Sequence, residues 1–415
     1  MKFNEFNFCD QLLEGLEAMR FDEATPVQSQ TIPIIMEGHD LIACAQTGTG
    51  KTAAYLLPII HKLVTTPHEG INTIIMVPTR ELAIQIDQQM EGFGYFMPVS
   101  STPIYGGNIS AEWDRQKNSL IQGSDLVVTT PGRMLQHISM GYVDLNKVQH
   151  LILDEADRML DMGFHEDIMQ IVNLLPKERQ TLMFSATMPP KIRDLARNIL
   201  QTPKEISIAI SKPAEGILQA AYLVHDTQKI PLVNCLLKDK NLPSIIVFSS
   251  RKQSVKEIAQ SLKRNGFNVG AIHSDLEQKE REDVMREFKN RNIQILVATD
   301  IIARGIDIEK IDLVINFDVP RDAEDYVHRI GRTARAQSQG VALTFINEHE
   351  ILEFHNIEKL IQTTVYKVPL PPELGEGPQY NPEQARISRK ANGGKNFRGG
   401  KKSFKKSNNR PPHGK

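Results

Sequence analysis

The chain has 415 residues, of which 40% are hydrophobic and 24% are charged, and its formal net charge is −1. This length is sufficient for two or three domains, and the composition is that of an ordinary globular protein. No apolar run approaches the ~18 residues that a transmembrane helix needs, and a beginning with Glu5 and Asp10 is not that of a signal peptide. We therefore expect neither a membrane span nor a cleaved leader.

The near-neutral net charge hides an asymmetry between the body and the end of the chain. Residues 386–415 contain 11 Lys and Arg and no Asp or Glu, whereas residues 1–385 contain 38 basic and 50 acidic side chains, a balance of −12. A basic end on an acidic body indicates contact with nucleic acid. The three cysteines, Cys9, Cys44 and Cys235, are far apart and are typical of buried thiols in a reducing compartment, so we expect a cytoplasmic protein.

The first predicted strand, Leu41–Cys44, leads into a glycine-rich loop and then into a predicted helix that begins near Ala53. The loop, Ala45-Gln46-Thr47-Gly48-Thr49-Gly50-Lys51-Thr52, differs from the phosphate-binding pattern Gly-x-x-x-x-Gly-Lys-Ser/Thr only at Ala45. Backbone N–H groups of such a loop and the helix N-terminus surround a polyphosphate. Lys51 neutralises its outer phosphates, and the Thr52 hydroxyl can ligate Mg²⁺. The alternative is a glycine turn followed by a chance Lys-Thr pair.

Further apolar runs alternate with helical stretches along the body of the chain. In the first half the predicted strands are 71–77, 125–129, 150–153 and 181–184, and in the second half they are 244–248, 269–272, 293–298, 313–317 and 341–345. Near-continuous apolar strands with helices between them predict an α/β fold with parallel sheets that helices cover on both faces. The strands are too numerous for one compact domain, so two α/β domains are expected.

Polar motifs follow most of these strands, at the sheet edge where ligands of open α/β sheets bind. They are Pro78–Ala83, Thr130–Arg133, Asp154–Asp157, Ser185–Thr187 and, in the second half, Thr299–Asp307. Helix capping explains any one of them, but a whole row at one edge indicates a site. Asp154 and Glu155 are the most informative pair, because an Asp at the end of an apolar strand can hold Mg²⁺ while the next Glu activates water. The alternative is a surface acidic turn.

The segment from His328 to Arg335 contains three closely spaced arginines. On the first turns of a helix, arginines at this spacing are expected to face one direction. The second half has no phosphate loop of its own, so these arginines are predicted to act across the gap between the domains on a transferring phosphoryl group. A solvated basic face is the alternative.

These motifs together resemble those of the DEAD-box ATP-dependent RNA helicases, which are named after the tetrapeptide found here at Asp154–Asp157. The resemblance covers about residues 1–370, and residues 3–33 are most similar to the bacterial RhlE-like subgroup. It implies two RecA-like domains with an ATP site between them. The predicted domains are 1–208 and 217–370, joined by a linker at 209–216 within the stretch Lys204–Gly216, and followed by a disordered basic tail at 371–415.

The resemblance also assigns roles to single residues. Gln28 would read the adenine edge, Phe3 would stack on the base, and Asp307 would bond the ribose. The run Ala45, Gln46, Thr47, Gly48, Thr49, Gly50, Lys51 and Thr52 would bind the phosphates, with Mg²⁺ on Thr52 and Asp154. Lys51, Asp154 and Glu155 would be catalytic, with Arg332 and Arg335 as arginine fingers and with Ser185 and Thr187 coupling the ATP state to unwinding. RNA would contact Pro78, Thr79, Arg80, Gly106, Gly107, Thr130, Gly132 and Arg133 in the first domain and Arg251, Thr299 and Arg304 in the second.

The implied activity is local unwinding of short RNA duplexes by a monomer that binds RNA without reading its sequence. An ATP-gated RNA clamp and a DNA translocase are the alternatives, and the setting, such as ribosome assembly or RNA decay, stays open. Three positions depart from the family pattern. Arg20 and Ala334 stand where glycine is usual, and Ala24 stands where proline is common.

Overall fold

The computed structural model describes residues 1–45, 49–107, 110–207, 217–238, 242–299, 311–333 and 340–386. They form two parallel sheets of seven strands each. The strands of the first sheet are β1 (Leu41–Cys44), β2 (Thr73–Met76), β3 (Ser101–Ile104), β4 (Leu126–Thr129), β5 (His150–Leu153), β6 (Gln180–Ser185) and β7 (Lys204–Ser207). Those of the second are β8 (Ile217–Leu223), β9 (Ile245–Phe248), β10 (Val269–Ile272), β11 (Ile295–Ala298), β12 (Leu313–Asn316), β13 (Gly340–Ile346) and β14 (Tyr366–Val368).

Helices connect the strands of each sheet. In the first half they are α1 (Asp10–Ala18), α2 (Pro26–Met36), α3 (Lys51–Thr65), α4 (Arg80–Phe93), α5 (Ser110–Gln122), α6 (Pro131–Ser139), α7 (Ala156–Asp161), α8 (His165–Leu174) and α9 (Pro190–Ile199). In the second half they are α10 (Asp226–Leu237), α11 (Lys252–Arg264), α12 (Gln278–Lys289), α13 (Ala323–Ile330) and α14 (Ile351–Ile361). Among the described residues, no helix combines the length and the apolar character that crossing a bilayer requires.

The strand order explains which sequence motifs meet. The first sheet has the order β3-β4-β2-β5-β6-β1-β7, and the second has the order β10-β11-β9-β12-β13-β8-β14. Successive residues of a central strand enter different hydrophobic clusters, as Ile74 and Ile75 of β2 do, because side chains alternate between the two faces. Both faces are therefore buried under helices, which confirms the predicted architecture.

The strands that the sequence failed to predict lie at or next to the sheet edges. They are β3, β7, β8 and β14, and β3 and β7 close the two sides of the first sheet. Strand β3 contains Pro103, and the side chains of β7 are mostly exposed, so neither strand shows a continuous apolar run. Lys204–Ser207 belong to the first sheet, because β7 pairs with β1. The predicted linker 209–216 lies outside the described residues.

The ordered part of the chain extends beyond the predicted beginning of the tail. Gln228 Nε2 donates hydrogen bonds to the backbone oxygens of Leu374 and Glu376, at 2.7 and 3.0 Å. The Tyr380 hydroxyl donates to Glu358 Oε2 at 2.5 Å. The prediction of disorder was therefore wrong for residues 371–386, whereas residues 387–415 lie outside the described part of the chain.

Arg20 occupies a strained position at the end of α1. Its φ is +58°, in the left-handed region that glycine adopts without cost. The Arg20 N–H donates to the Glu17 oxygen and the Phe21 N–H donates to the Leu16 oxygen, at 3.0 and 2.9 Å. These two bonds form a Schellman motif, in which the residue at the position of Arg20 is usually glycine. Ala334, the other departure from glycine, lies outside the described residues.

We predict that Arg20→Gly stabilises the first domain by about 1 kcal/mol, because it relieves the left-handed strain and keeps both hydrogen bonds. Urea unfolding followed by the fluorescence of Trp113 measures this, since Trp113 on α5 is the only tryptophan of the chain. Arg20→Ala is the matched control, because alanine removes the same side chain and keeps the strain. Equal stability of the two variants would contradict the explanation.

Candidate functional site

The predicted phosphate and acidic motifs meet at the carboxyl ends of three adjacent strands, β5, β6 and β1. Ala45, which follows β1, donates its N–H to the oxygen of Ser185, the last residue of β6, at 3.0 Å. Asp154 follows β5 directly and donates its N–H to the Met76 oxygen of β2, also at 3.0 Å. The parallel register thus brings together motifs that are more than a hundred residues apart in sequence.

The described part of the glycine-rich loop has the features of a phosphate cradle. Gly50 has φ +90° and immediately precedes α3, so its backbone needs glycine. Lys51 is 6% exposed, and its Nζ donates to the Ala45 oxygen at 2.8 Å, across the mouth of the loop. Residues Gln46, Thr47 and Gly48 lie outside the described residues. The described residues Thr49, Gly50, Lys51 and Thr52 form the end of the loop and the first turn of α3.

Gln28 is buried against this loop. Its Oε1 accepts the Thr25 N–H at 2.9 Å and its Nε2 donates to the Gly50 oxygen at 3.1 Å. The Thr25 hydroxyl in turn accepts the Gln28 N–H, so Gln28 also completes the capping box of α2. A Cβ at Gly50 would come within 2.5 Å of Gln28 Nε2. The close approach of this amide is therefore a second reason for glycine at position 50.

Phe3, which was predicted to stack on a base, lies in an aromatic cluster. It is 3% exposed, and its ring centroid lies 6.0 Å from that of Phe6 and 6.1 Å from that of Phe21. One face of this cluster would have to open before a base could stack on Phe3. That role stays a prediction.

The acidic pair is buried at the center of the site. Asp154 is 3% exposed and Glu155 is 9% exposed. The Tyr55 hydroxyl donates to Asp154 Oδ2 at 2.9 Å, and the Glu155 N–H donates to Asp154 Oδ1 at 2.9 Å. Burial raises the pKa of both carboxyl groups, and the charge of Lys51 opposes the increase in each case. Glu155 also has a left-handed backbone, with φ +52°.

Asp157 connects the acidic motif to the Ser-Ala-Thr motif. Its Oδ2 accepts hydrogen bonds from the Thr187 N–H and the Thr187 hydroxyl, at 2.9 and 3.0 Å. The Ser185 hydroxyl donates to the Thr187 oxygen at 2.7 Å. A displacement of the acidic loop would therefore be transmitted directly to Ser185 and Thr187.

The second domain meets this edge through α13. Arg158 Nη2 lies 3.0 Å from Asp325 Oδ1 and 2.5 Å from His328 Nδ1. The expectation that the arginines lie on the first turns of a helix was wrong. Arg329 is near the end of α13 and donates to Asn316 Oδ1 and to the Asp318 oxygen inside the second domain, and Arg332 follows the end of the helix. Arg335, Arg304 and Asp307 lie outside the described residues.

The residues predicted to contact RNA in the first domain occupy the same edge, beyond β2, β3 and β4. Thr79 caps α4 by accepting the Leu82 N–H at 3.3 Å, whereas the Thr130 hydroxyl makes no capping bond to α6. The simple capping explanation therefore holds for Thr79 and fails for Thr130. The other positions are Pro78 next to Thr79, Gly106 and Gly107 beyond β3, and Gly132 and Arg133 in the first turn of α6.

Arg80 at the start of α4 lies between the two domains. Its Nη2 is 2.8 Å from Glu282 Oε1 on α12 and 3.8 Å from Glu112 Oε1 on α5. A Cβ at Gly107 would come within 2.8 Å of Glu112 Oε2 and 3.1 Å of Arg80 Nη1, so a larger residue there would displace the ends of these two side chains. In the second domain, Arg251 precedes α11 and is exposed, and Thr299 follows β11.

The sequence analysis did not assign a role to Tyr55, Asp157 or Arg158. Tyr55 is fully buried and falls within the helix predicted to begin near Ala53. Nothing in the sequence of that helix indicates the hydrogen bond from Tyr55 to Asp154. Asp157 and Arg158 stand beside the predicted carboxylates. Two charged residues in an otherwise buried turn were the only sign in the sequence that Asp157 and Arg158 matter. Their partners, Thr187 and Asp325, are distant in sequence and are seen only in the structure.

The oxygen ligands available at this site suit Mg²⁺ better than a metal ion that is held entirely by protein side chains. In the described ranges, no three His, Cys, Asp or Glu side chains group as a complete metal site. Mg²⁺ is commonly held by one or two carboxylates together with substrate phosphates and water. Asp154 and the Thr52 hydroxyl fit that requirement, and the buried negative charge next to them would be offset by a divalent cation.

Comparisons with known proteins place the chain among helicases. A family model described as DEAD/DEAH box helicase matches residues 25–195, and one described as helicase conserved C-terminal domain matches residues 228–337. The chain is 43% identical to an ATP-dependent RNA helicase CshA of Limosilactobacillus reuteri, over 91% of this chain and 75% of the relative. It is 42% identical to a DEAD-box ATP-dependent RNA helicase CshA of Geobacillus kaustophilus, over 90% of this chain and 79% of the relative.

Solved structures give the same result for the fold. S. cerevisiae Dbp5 bound to RNA and ADP BeF3 is 28% identical, with a TM-score of 0.78 over 94% of this chain and 99% of that chain. A DEAD box protein from Methanococcus jannaschii is 38% identical, with a TM-score of 0.52 over 89% of this chain and 99% of that chain. The RhlE-like subgroup stays a prediction.

We predict that Gln28→Leu lowers the stability of the first domain by about 1–3 kcal/mol, because the Thr25 N–H and the Gly50 oxygen both lose a buried partner. Urea unfolding followed by Trp113 fluorescence measures the change. Gln28→Glu is the matched comparison: its carboxylate can still accept the Thr25 N–H, so the helix cap survives, whereas its second oxygen faces the Gly50 oxygen with no proton to donate. A stability of Gln28→Leu equal to that of the parent would show that these bonds are negligible.

Proposed function

Because this chain belongs to the DEAD-box family of ATP-dependent RNA helicases, we propose that the edge formed by β1, β5 and β6 is its ATPase center and that the edge beyond β2, β3 and β4 is its RNA-binding surface. One observation supports this most directly. Two buried carboxylates, Asp154 and Glu155, lie next to a buried lysine of a glycine-rich loop, and Arg158 beside them contacts the second domain.

In this proposal the first domain binds ATP through the loop from Ala45 to Thr52. Lys51 supplies the cation for the outer phosphates, and it would exchange its bond to the Ala45 oxygen for phosphate contacts. Gln28 reads the adenine edge through the amide that now bonds Gly50, so recognition of the base would alter the loop directly. Phe3 would stack on the base, and Asp307 would bond the ribose.

ATP and Mg²⁺ together supply the phosphoryl group and the charge neutralisation for its transfer. Thr52 and Asp154 would hold Mg²⁺, and Tyr55 fixes the orientation of Asp154 by its hydrogen bond. Glu155 is the proposed general base. Burial raises the pKa of its carboxyl group toward neutral pH, where a general base is most effective. Its side chain makes no capping hydrogen bond that would restrain it.

The second domain would complete the center when the two domains meet. Arg332 and Arg335 are the proposed arginine fingers, which stabilise the charge of the transition state. Asp157, Thr187 and Ser185 form a continuous path from the acidic turn to β6. We propose that this path couples the ATP state to the separation of RNA strands.

The proposed RNA surface uses backbone groups and arginines rather than base-specific side chains. Contacts of this kind position the phosphate backbone and do not select a sequence. Single strands and short duplexes of any sequence are therefore the proposed substrates. Because the geometry shows Cys9, Cys44 and Cys235 as free thiols, we also propose a cytoplasmic location, and we propose that the enzyme acts as a monomer.

We expect Lys51→Ala to weaken ATP binding by roughly 10- to 100-fold and to abolish unwinding, because a charge-assisted contact to the phosphates is lost. Titration with a fluorescent ATP analogue measures the affinity. Lys62→Met is the matched control, since Lys62 lies on the same helix and donates to the Ile35 oxygen and Gln180, away from the loop. Parent-like nucleotide affinity in Lys51→Ala would refute the phosphate-loop assignment.

Glu155→Gln should lower ATP turnover by about 10²- to 10⁴-fold, because it keeps the shape of the side chain and removes the base. ATP should still increase RNA affinity, because the metal-binding Asp154 is unchanged. Turnover and RNA affinity with and without ATP are the measurements, with the exposed Glu178→Gln as control. Normal turnover, or the loss of the ATP effect on RNA affinity, would exclude the proposed role.

A further inference from the structure

Trp113 on α5 lies against two planar side chains, those of His137 and Arg133, beside the proposed RNA surface. Its ring is stacked on the His137 imidazole, with the centroids 4.1 Å apart and an interplanar angle of 14°. The Arg133 guanidinium carbon lies 4.4 Å from the Trp113 ring centroid. Arg133 is a proposed RNA contact, whereas neither Trp113 nor His137 belongs to any motif that the sequence analysis identified.

Gln116, one turn further along α5, ties the same arginine to the neighboring loop. It is 2% exposed. Its Oε1 accepts Arg133 Nε at 3.0 Å, and its Nε2 donates to the Tyr105 oxygen at 3.1 Å, immediately before Gly106. Gln116 Oε1 also lies 3.1 Å from His137 Nε2. One buried amide therefore fixes the position of Arg133 relative to the Gly106–Gly107 loop.

His137 is a neutral support in this arrangement. Burial and the charge of Arg133 lower the pKa of His137 to about 4, so the ring is uncharged at neutral pH. With Nε2–H donating to Gln116, Nδ1 accepts from the Tyr142 hydroxyl, so both ring nitrogens have partners. An uncharged imidazole stacks on Trp113 without repelling the nearby Arg133 guanidinium.

The contacts of Arg133 leave one part of its guanidinium available. Nε bonds Gln116 and Nη1 bonds Gln136 Oε1 at 3.2 Å. Among the described residues, Nη2 has no hydrogen-bond acceptor. A guanidinium whose plane and Nε are fixed, and whose Nη2 is available, is preorganised to bind a phosphate oxygen.

We propose that Trp113 and Gln116 are positioning residues that hold the Arg133 guanidinium in place for an RNA phosphate; this rests on the proposed role of Arg133 in RNA binding. Trp113 provides the flat surface against which the guanidinium packs, and Gln116 sets its rotation. Without them the arginine would have to be ordered by RNA itself, at a cost in conformational entropy.

Direct stacking of an RNA base on Trp113 is the main alternative, and the geometry disfavours it. The His137 ring and the Arg133 guanidinium both lie against the indole, 4.1 and 4.4 Å from its centroid. A base that replaced Arg133 on the ring would remove a proposed phosphate contact. The other alternative is that Trp113 merely packs α5 against α6.

The test compares Trp113→Leu with Trp113→Phe by measuring ATP turnover against the concentration of a single-stranded RNA. Trp113→Leu should raise the half-saturating RNA concentration by about 3- to 10-fold, because the cation–π contact is lost, and should lower turnover at saturating RNA by less than about 2-fold. Trp113→Phe should recover most of the RNA affinity. Tyr95→Leu, which removes a 79% exposed aromatic side chain just after α4, is the control.

A double-mutant cycle with Arg133→Ala separates positioning from independent contact. In the Arg133→Ala background, Trp113→Leu should cause no further loss, because there is no guanidinium left to position. Fully additive losses would overturn the proposal in favor of base stacking on Trp113. If Trp113→Leu lowers the melting temperature and reduces ATP turnover at saturating RNA as much as at low RNA, the proposal is overturned and Trp113 only packs α5 against α6.

The same experiment distinguishes failure of this inference from failure of the proposed function. If Arg133→Ala raises the half-saturating RNA concentration and Trp113→Leu does not, only the positioning role is wrong. If Arg133→Ala itself has no effect, the proposed RNA contact is wrong and the inference falls with it. Gln116→Leu gives an independent measurement, and it should weaken RNA binding in the same direction as Trp113→Leu.

Discussion

The burial of two adjacent carboxylates at the end of β5 is the constraint on which the rest of the site depends. A buried carboxylate without partners is strongly disfavored, so the surrounding residues have to compensate for Asp154 and Glu155. Tyr55 donates a hydrogen bond from α3, while Lys51 and Arg158 supply positive charge. The central position of β5 between β2 and β6 makes this possible, because the flanking strands bring loops from both sides to one point.

Charged contacts at the same edge also join the two domains. Arg158 is paired with Asp325 and His328 where all three side chains are largely buried, so this contact is shielded from solvent. Arg80 pairs with Glu282, a partly exposed carboxylate, and a pair of that kind contributes little stability and weakens with salt. The buried contact adjoins the proposed ATPase center, and the exposed one adjoins the proposed RNA surface. A ligand bound at either proposed site would therefore lie next to a charged contact between the domains.

The buried parallel strands could be predicted from the sequence, whereas most strands at or next to the sheet edges could not. Runs such as His150–Leu153 are mostly apolar because both faces of the sheet are covered. The bounds of β1, β5 and β10 were predicted correctly, and those of the other predicted strands differ by one or two residues. Strand β7 is mostly exposed and has no such pattern. The residues of the glycine-rich loop and of the acidic turn could be identified as site residues from their amino-acid types and their spacing. The bond from Tyr55 to Asp154, the inward turn of Arg329 and the stack on Trp113 depend on side-chain directions that spacing alone does not determine.

Glu155, the proposed general base, has a strained backbone at the start of α7. An N-cap residue usually has an extended backbone, and its side chain bonds the first free N–H groups of the helix. Glu155 precedes α7 with a left-handed backbone and makes no such bond, while Asp157 accepts the Arg158 N–H instead. A strained backbone of this kind costs about 1–3 kcal/mol and persists only where the surroundings enforce it. The gain is that α7 can begin directly after β5 and that the Glu155 carboxylate is not committed to capping. The role of general base that we propose for Glu155 requires that freedom, so the strain lies at the residue of the turn whose side chain the proposal needs to be available.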